Sequence, residues 1–310
     1  MRPVFLLIIL IVVFGCTAED ETASLHLPIV ETINTDAYNA ALVPGRLTAD
    51  VGIYVPQTDD IRYNSRVPLD TLLARFAYAQ TIFDSVGVQL KLLWVKHYTV
   101  PDTSWLTIPS NIMQSTPQVA TYATLYHKMR DQQSTLAPKA EQVFNAIIEP
   151  DNYNDRTLYL VGLRDVYMSY FEQDSTDTWG LHTDPVNALS FPSYILEDRI
   201  PRRLRGVISM QNAFISRKVV AHEIGHKLLN VSHQYGTLAP HHEIDAEGGL
   251  MVYGEGIDIP SGADGRWHQE RLMLSPFLYR EQPDGTRAYN PDYAEHGHYY
   301  DPIYGDYVVR

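Results

Sequence analysis

The 310-residue chain contains one cysteine, Cys16. With no second thiol, no disulfide can form within the chain, and a metal site in its body has no cysteine ligand to use. Cationic residues are also scarce. Lys and Arg number 24 against 37 Asp and Glu, giving a net charge of −13. A surface of that sign argues against a nucleic-acid partner. No internal repeat is present, which excludes solenoids and other repeat architectures. The apolar run from Val4 to Phe14 is too short to span a bilayer comfortably. No loop carries a signature of substrate preference.

What is present starts at the N-terminus. Met1-Arg2-Pro3, the apolar run and Gly15-Cys16 read as a charged region, a hydrophobic region and a small residue before a cleavage point. Val13-Phe14-Gly15-Cys16 resembles the lipobox of bacterial lipoproteins, with Phe14 an unusual occupant of its position. The resemblance implies a signal peptide over 1–15, a lipid on Cys16 and an exported, membrane-anchored protein of the cell envelope. An ordinary signal peptide, or an uncleaved anchor, is the alternative. Residues 16–44 have no clear periodicity and read as a linker, with Glu19, Asp20 and Glu21 as a solvated tether.

A metal-ligating pattern lies further on. His222-Glu223-Ile224-Gly225-His226 is an HExxH motif inside an apolar helical stretch, with Ser216 as a fair N-cap. Residues four apart share a helix face, so the two imidazoles can meet one metal ion. Glu223 lies about 100° round the helix and can reach a water on that metal. Catalytic zinc takes three protein ligands and keeps a position for water, so the pattern points to a zinc hydrolase. A core helix with merely hydrogen-bonded histidines is the alternative.

Around this motif the chain predicts an α+β fold: a mixed, twisted sheet of about five strands, an active-site helix and a small C-terminal subdomain. Strands are expected at Leu47–Val55, Val88–Tyr98, Arg156–Leu163 and Gly206–Met210, with an edge strand at Ala188–Leu196 interrupted by Pro192. A helix is expected over Pro68–Val86 and ended by Gly87, with further helical patches at Gln118–Arg130, Lys139–Ile148 and Ala263–Leu274. Residues 99–117 and 172–186 read as irregular. The folded domain is expected over 45–280, and the Tyr-rich stretch 281–310 as a tail, ordered or partly disordered.

HExxH, a third histidine after a turn, and Gly249-Leu250-Met251-Val252-Tyr253-Gly254 together resemble the metzincin zinc peptidases. The resemblance implies an endopeptidase acting on peptide or protein substrates, with Zn2+ as its cofactor. His222, His226 and His233 would be the zinc ligands and Glu223 the general base. Met251 would be the methionine of the turn beneath the metal, and Tyr253 a group approaching the zinc or the oxyanion. The spacing departs from the family. His226 to His233 is seven residues rather than six, and Asn230 stands in the place of the family's helix-ending glycine. Asn adopts the left-handed conformation more readily than other non-glycine residues. His241, His242 and Glu243 compete with His233 for the third position. A gluzincin-like peptidase using Glu243 or Glu247 is a second reading. A non-catalytic surface lipoprotein that binds through its Tyr-rich tail is a third. With Cys16 as the sole thiol, no cysteine switch is available to keep such an enzyme latent.

Overall fold

The computed structural model describes residues 26–113, 134–151, 155–173, 179–190, 200–211, 216–229, 249–251, 254–261, 268–291, 299–301 and 305–307. Its strands and helices follow in chain order. β1 (Ile29–Ile33) and α1 (Asp36–Asn39) precede β2 (Leu47–Pro56), α2 (Leu69–Asp84) and β3 (Val88–Tyr98). The short β4 (Thr107–Pro109), β5 (Asn111–Met113) and β6 (Ser134–Leu136) lead to α3 (Pro138–Ile147) and β7 (Leu158–Gly162). Next come β8 (Asp165–Gln173), β9 (Trp179–Pro185), β10 (Ala188–Leu189) and β11 (Val207–Met210), then α4 (Val219–Leu229) and α5 (His268–Met273). β12 (Leu278–Glu281), β13 (Arg287–Tyr289), β14 (Tyr299–Asp301) and β15 (Gly305–Tyr307) close the chain.

The protein is α+β, built on an eight-stranded mixed sheet rather than one of about five strands. Its path runs β1-β3-β2-β7-β11-β10, with β12 and β13 attached beside the start of β2. β3, β2, β7 and β11 are parallel to one another, and β1 and β10 are antiparallel on the two flanks. Central parallel strands are covered on both faces, so their sequences run apolar throughout. All ten residues of β2 and all five of β7 are buried accordingly.

Period-two alternation divides the core in two. Leu47, Ala49, Val51, Ile53 and Val55 of β2, Leu158 and Leu160 of β7, and Ile208 and Met210 of β11 face the side covered by α2 and α4. Tyr54, Tyr159, Val161 and Val207 face the side covered by α3. In β3 the phase changes. Val88, Leu90 and Leu92 face α2, but so does Val95. The register explains this: Val51 pairs with Leu92 and Gly52 with Trp94, leaving Leu93 as a bulge. α2 ends at Asp84, and the turn that follows it closes at Gly87, whose φ of 86° suits a residue without Cβ.

Further expectations are corrected. Residues 26–44 are part of the fold, not a linker. Leu27 is buried and donates its N–H to Ala146 O at 2.7 Å, while β1 pairs with β3. The Asn39 amide mimics a strand partner, donating to Leu92 O at 2.8 Å and accepting from Leu92 N at 2.9 Å. Gln89 does the same for Val43, at 2.7 and 3.0 Å. Side-chain amides thus dock a segment that has no apolar periodicity to announce it.

Residues 172–173 and 179–185, expected to be loop-like, lie in strands. β8 and β9 form an antiparallel hairpin, with β4 beside β8. It is held by polar cross-strand pairs rather than by an apolar face. Ser169 and Thr183 hydroxyls lie 2.9 Å apart, Tyr170 donates to Asp184 at 2.5 Å, and Tyr170 stacks on His182. Finally, residues 281–291 belong to the sheet. β12 pairs with β2 and with β13, and Tyr279 and Arg287 converge on the fully buried Asp50 at 2.7 and 2.6 Å.

α3 and β11 lie close to their expected bounds, the helix expected over Ala263–Leu274 is described over His268–Met273, and the stretch 99–117, expected to be irregular, contains β4 and β5. Only Ala188–Leu189 of the expected edge strand is described, and it does lie at the sheet's flank. The patch at Gln118–Arg130 and the signal and lipidation segment, including Cys16, lie outside the described residues. No helix among the described residues is long and apolar enough to cross a membrane.

Candidate metal centre

α4 leaves the parallel strand β11 and runs back across the face of the sheet beside α2. Ser216 Oγ accepts the Lys218 N–H at 3.2 Å, and Ser216 O accepts the Val219 N–H at 3.4 Å, so the expected cap is in place. All eleven residues of α4 are buried. Val219, Val220, Ala221, Ile224, Leu228 and Leu229 account for this burial as core. His222, Glu223, His226 and Lys227 do not, because burying ionisable groups costs free energy unless they are partnered.

The two histidines do come together. Their ring centroids are 4.7 Å apart and their planes nearly perpendicular, at 84°. His222 Nδ1 lies 2.7 Å from the Leu250 carbonyl oxygen. A carbonyl only accepts, so Nδ1 carries the hydrogen and the lone pair of the neutral ring sits on Nε2. That is the arrangement by which a ligating histidine is oriented, its other nitrogen donating to a backbone carbonyl. Burial, opposed by the Leu250 carbonyl and aided by the Lys218 charge, pushes the His222 pKa down to about 4. The ring is therefore held neutral, the form that binds a metal.

Met251 lies against this helix. A Cβ on Gly225 would stand 2.5 Å from Met251 Sδ and 3.4 Å from Leu250 Cδ2. The glycine within HExxH thus admits the methionine to the helix backbone. Leu250 and Met251 are both buried. Their segment is tied back by a Gly249–Asp258 bridge and by the Leu250 N–H on Asp258 O at 2.8 Å.

Glu223 is buried beside Lys227, its neighbour four residues on. Burial raises the carboxyl pKa, and the Lys227 ammonium opposes the rise. Burial lowers the Lys227 pKa, which Glu223 opposes and Arg205 reinforces. A carboxyl shifted upward in this way is suited to taking and returning a proton near neutral pH.

Sequence reasoning did not single out Lys218 or Lys227. A signal existed: both are lysines at positions where an otherwise apolar helix is wholly buried. His233, Tyr253, His241, His242, Glu243 and Glu247 lie outside the described residues. Among the described residues no group of three His, Cys, Asp or Glu side chains converges on a common point. His222 and His226 are thus two donors of a candidate centre, and the closeness of their rings and the neutral form of His222 fit a borderline-soft cation such as zinc. The chain matches no protein-family model, and comparisons with curated proteins and with solved structures gave no match.

Proposed function

We propose that the protein is a zinc-dependent endopeptidase of metzincin-like build, held at the outer face of a bacterial membrane by a lipid on Cys16. The observation that carries the reading is the hydrogen bond from His222 Nδ1 to Leu250 O, one residue before Met251. It joins the two halves of the motif, helix and methionine turn, in the way a ligating histidine requires.

His222 and His226 would hold the zinc, with His233 as the third ligand and Met251 as an apolar floor. When bound, zinc supplies a Lewis acid that polarises the scissile carbonyl and makes water acidic near neutral pH. Glu223 takes the proton of the attacking water and delivers it to the leaving amine. Tyr253 donates a hydrogen bond to the developing oxyanion. The flank of the sheet at β10 offers an edge where an extended peptide can add as a strand.

Cleavage of a general protein substrate by the purified chain tests the reading. Activity that a chelator abolishes, that zinc restores and that Glu223→Ala removes is the expected result. Zinc-loaded Glu223→Ala protein cleaving at the wild-type rate would sink the mechanism.

A further inference from the structure

One stripe, from Lys218 just before α4 to Gly225 within it, reads the methionine-turn segment in order. Lys218, His222 and Gly225 stand at i, i+4 and i+7, one helix face. They meet Gly249, Leu250 and Met251 respectively. Lys218 Nζ donates to Gly249 O at 3.1 Å, His222 Nδ1 donates to Leu250 O at 2.7 Å, and Gly225 lies flush against Met251 Sδ. Lys218 also donates to Gly256 O at 2.6 Å, on the returning limb of the same loop. One ammonium therefore ties both limbs of the 249–258 loop to the start of the helix.

The residue is 4 % exposed. A methionine of similar length would fill that volume without desolvating a charge, and burying a charge is unfavourable unless its hydrogen bonds return the cost. An apolar contact would not fix the loop's carbonyls. Ammonium donors aimed at the Gly249 and Gly256 oxygens do.

We propose that Lys218 is a positioning residue for the metal centre: by pinning Gly249 and Gly256 it sets the Leu250 carbonyl that orients the His222 ring. The role rests on the zinc reading above. It places Lys218 one step behind the histidine's own hydrogen-bond partner, where no motif would look for it.

The test uses the full chain and two readouts. Zinc affinity is measured by competition with a chromophoric chelator. The His222 tautomer in the metal-free protein is measured by long-range proton–nitrogen NMR. Lys218→Met is expected to weaken zinc binding roughly tenfold, the lower end for losing an outer-sphere contact. It should also reduce the Nδ1–H signature of His222. Lys218→Arg, which keeps a cation with several donors, should recover part of both. Unchanged zinc affinity and an unchanged His222 signature in folded Lys218→Met, or in Lys218→Gln if the methionine variant fails to fold, overturn the role of Lys218 alone. A wild-type chain that binds no zinc overturns the zinc reading and this role with it.

Discussion

α2 and α4 lie side by side on the same face of the sheet, yet they are different kinds of helix. α2 buries Leu72, Leu73, Phe76, Ala79, Ile82 and Phe83 and leaves its other residues half-buried or exposed. α4 is buried all round and carries two histidines, a glutamate and a lysine into that burial. The first is what a core requires. The second contains groups that a core would be more stable without, and the proposed metal-binding role accounts for them where packing does not. Substitutions in α2 should therefore change stability and leave metal and activity alone, and polar substitutions in α4 should do the reverse.

The largest expected effect breaks activity without breaking the fold. Glu223→Gln should lower peptide hydrolysis by about 10²–10⁴-fold, the usual range for removing a general base. Its thermal unfolding should stay at or above that of the wild type, because a buried carboxyl with a raised pKa becomes a neutral amide. Coupled loss of fold and activity would erase the contrast between the helices.

Phe76→Ala in α2 is the converse. Phe76 is fully buried on the strand side of α2, and its truncation should cost about 3–5 kcal/mol in denaturant unfolding. Zinc bound per folded chain should not change.

Gly225→Ala lies between the two. The added methyl meets Met251 Sδ at 2.5 Å, so about 1–3 kcal/mol of overpacking strain is expected. Because Leu250 must shift with Met251, zinc affinity should fall as well. Loss of stability with unchanged zinc affinity would separate the methionine from the centre.

The smallest effect concerns a site remote from α4. Burial raises the Asp50 pKa above its ordinary 3.8, with the Arg287 charge and the Tyr279 hydroxyl opposing. The folded chain then keeps a proton that the unfolded chain releases. The stability this group contributes is therefore full below about pH 3.8 and is lost as pH rises through the folded value. The difference in unfolding free energy between wild type and Asp50→Asn should accordingly decline with rising pH, by at most about 1.4 kcal/mol per unit. A difference that grows with pH would contradict the sign.

The contrast between the helices also separates what the sequence makes legible from what it hides. The apolar stripe of α2, the runs of β2 and β7 and the HExxH spacing are local patterns, and each lies where it is expected. The docking of 26–44 is hidden because Asn39 and Gln89 satisfy backbone groups far away in sequence, and no local pattern encodes that. The β8–β9 hairpin is hidden because each of its faces mixes apolar and polar residues, so periodicity gives no phase. At the centre, His222, His226, Glu223 and Met251 are legible from their spacing. The Leu250 carbonyl and the Lys218 ammonium are not, since a backbone atom has no letter and a lysine is ordinarily read as surface.

The account turns on His222 and His226 as donors to one metal ion. Elemental analysis of the dialysed wild-type chain, beside a His222→Asn, His226→Asn double variant of matched secondary structure, addresses this most directly. About one zinc per wild-type chain and almost none in the folded double variant is the predicted result. A wild-type chain free of zinc after incubation with the ion, or a double variant that binds it equally well, would contradict the account.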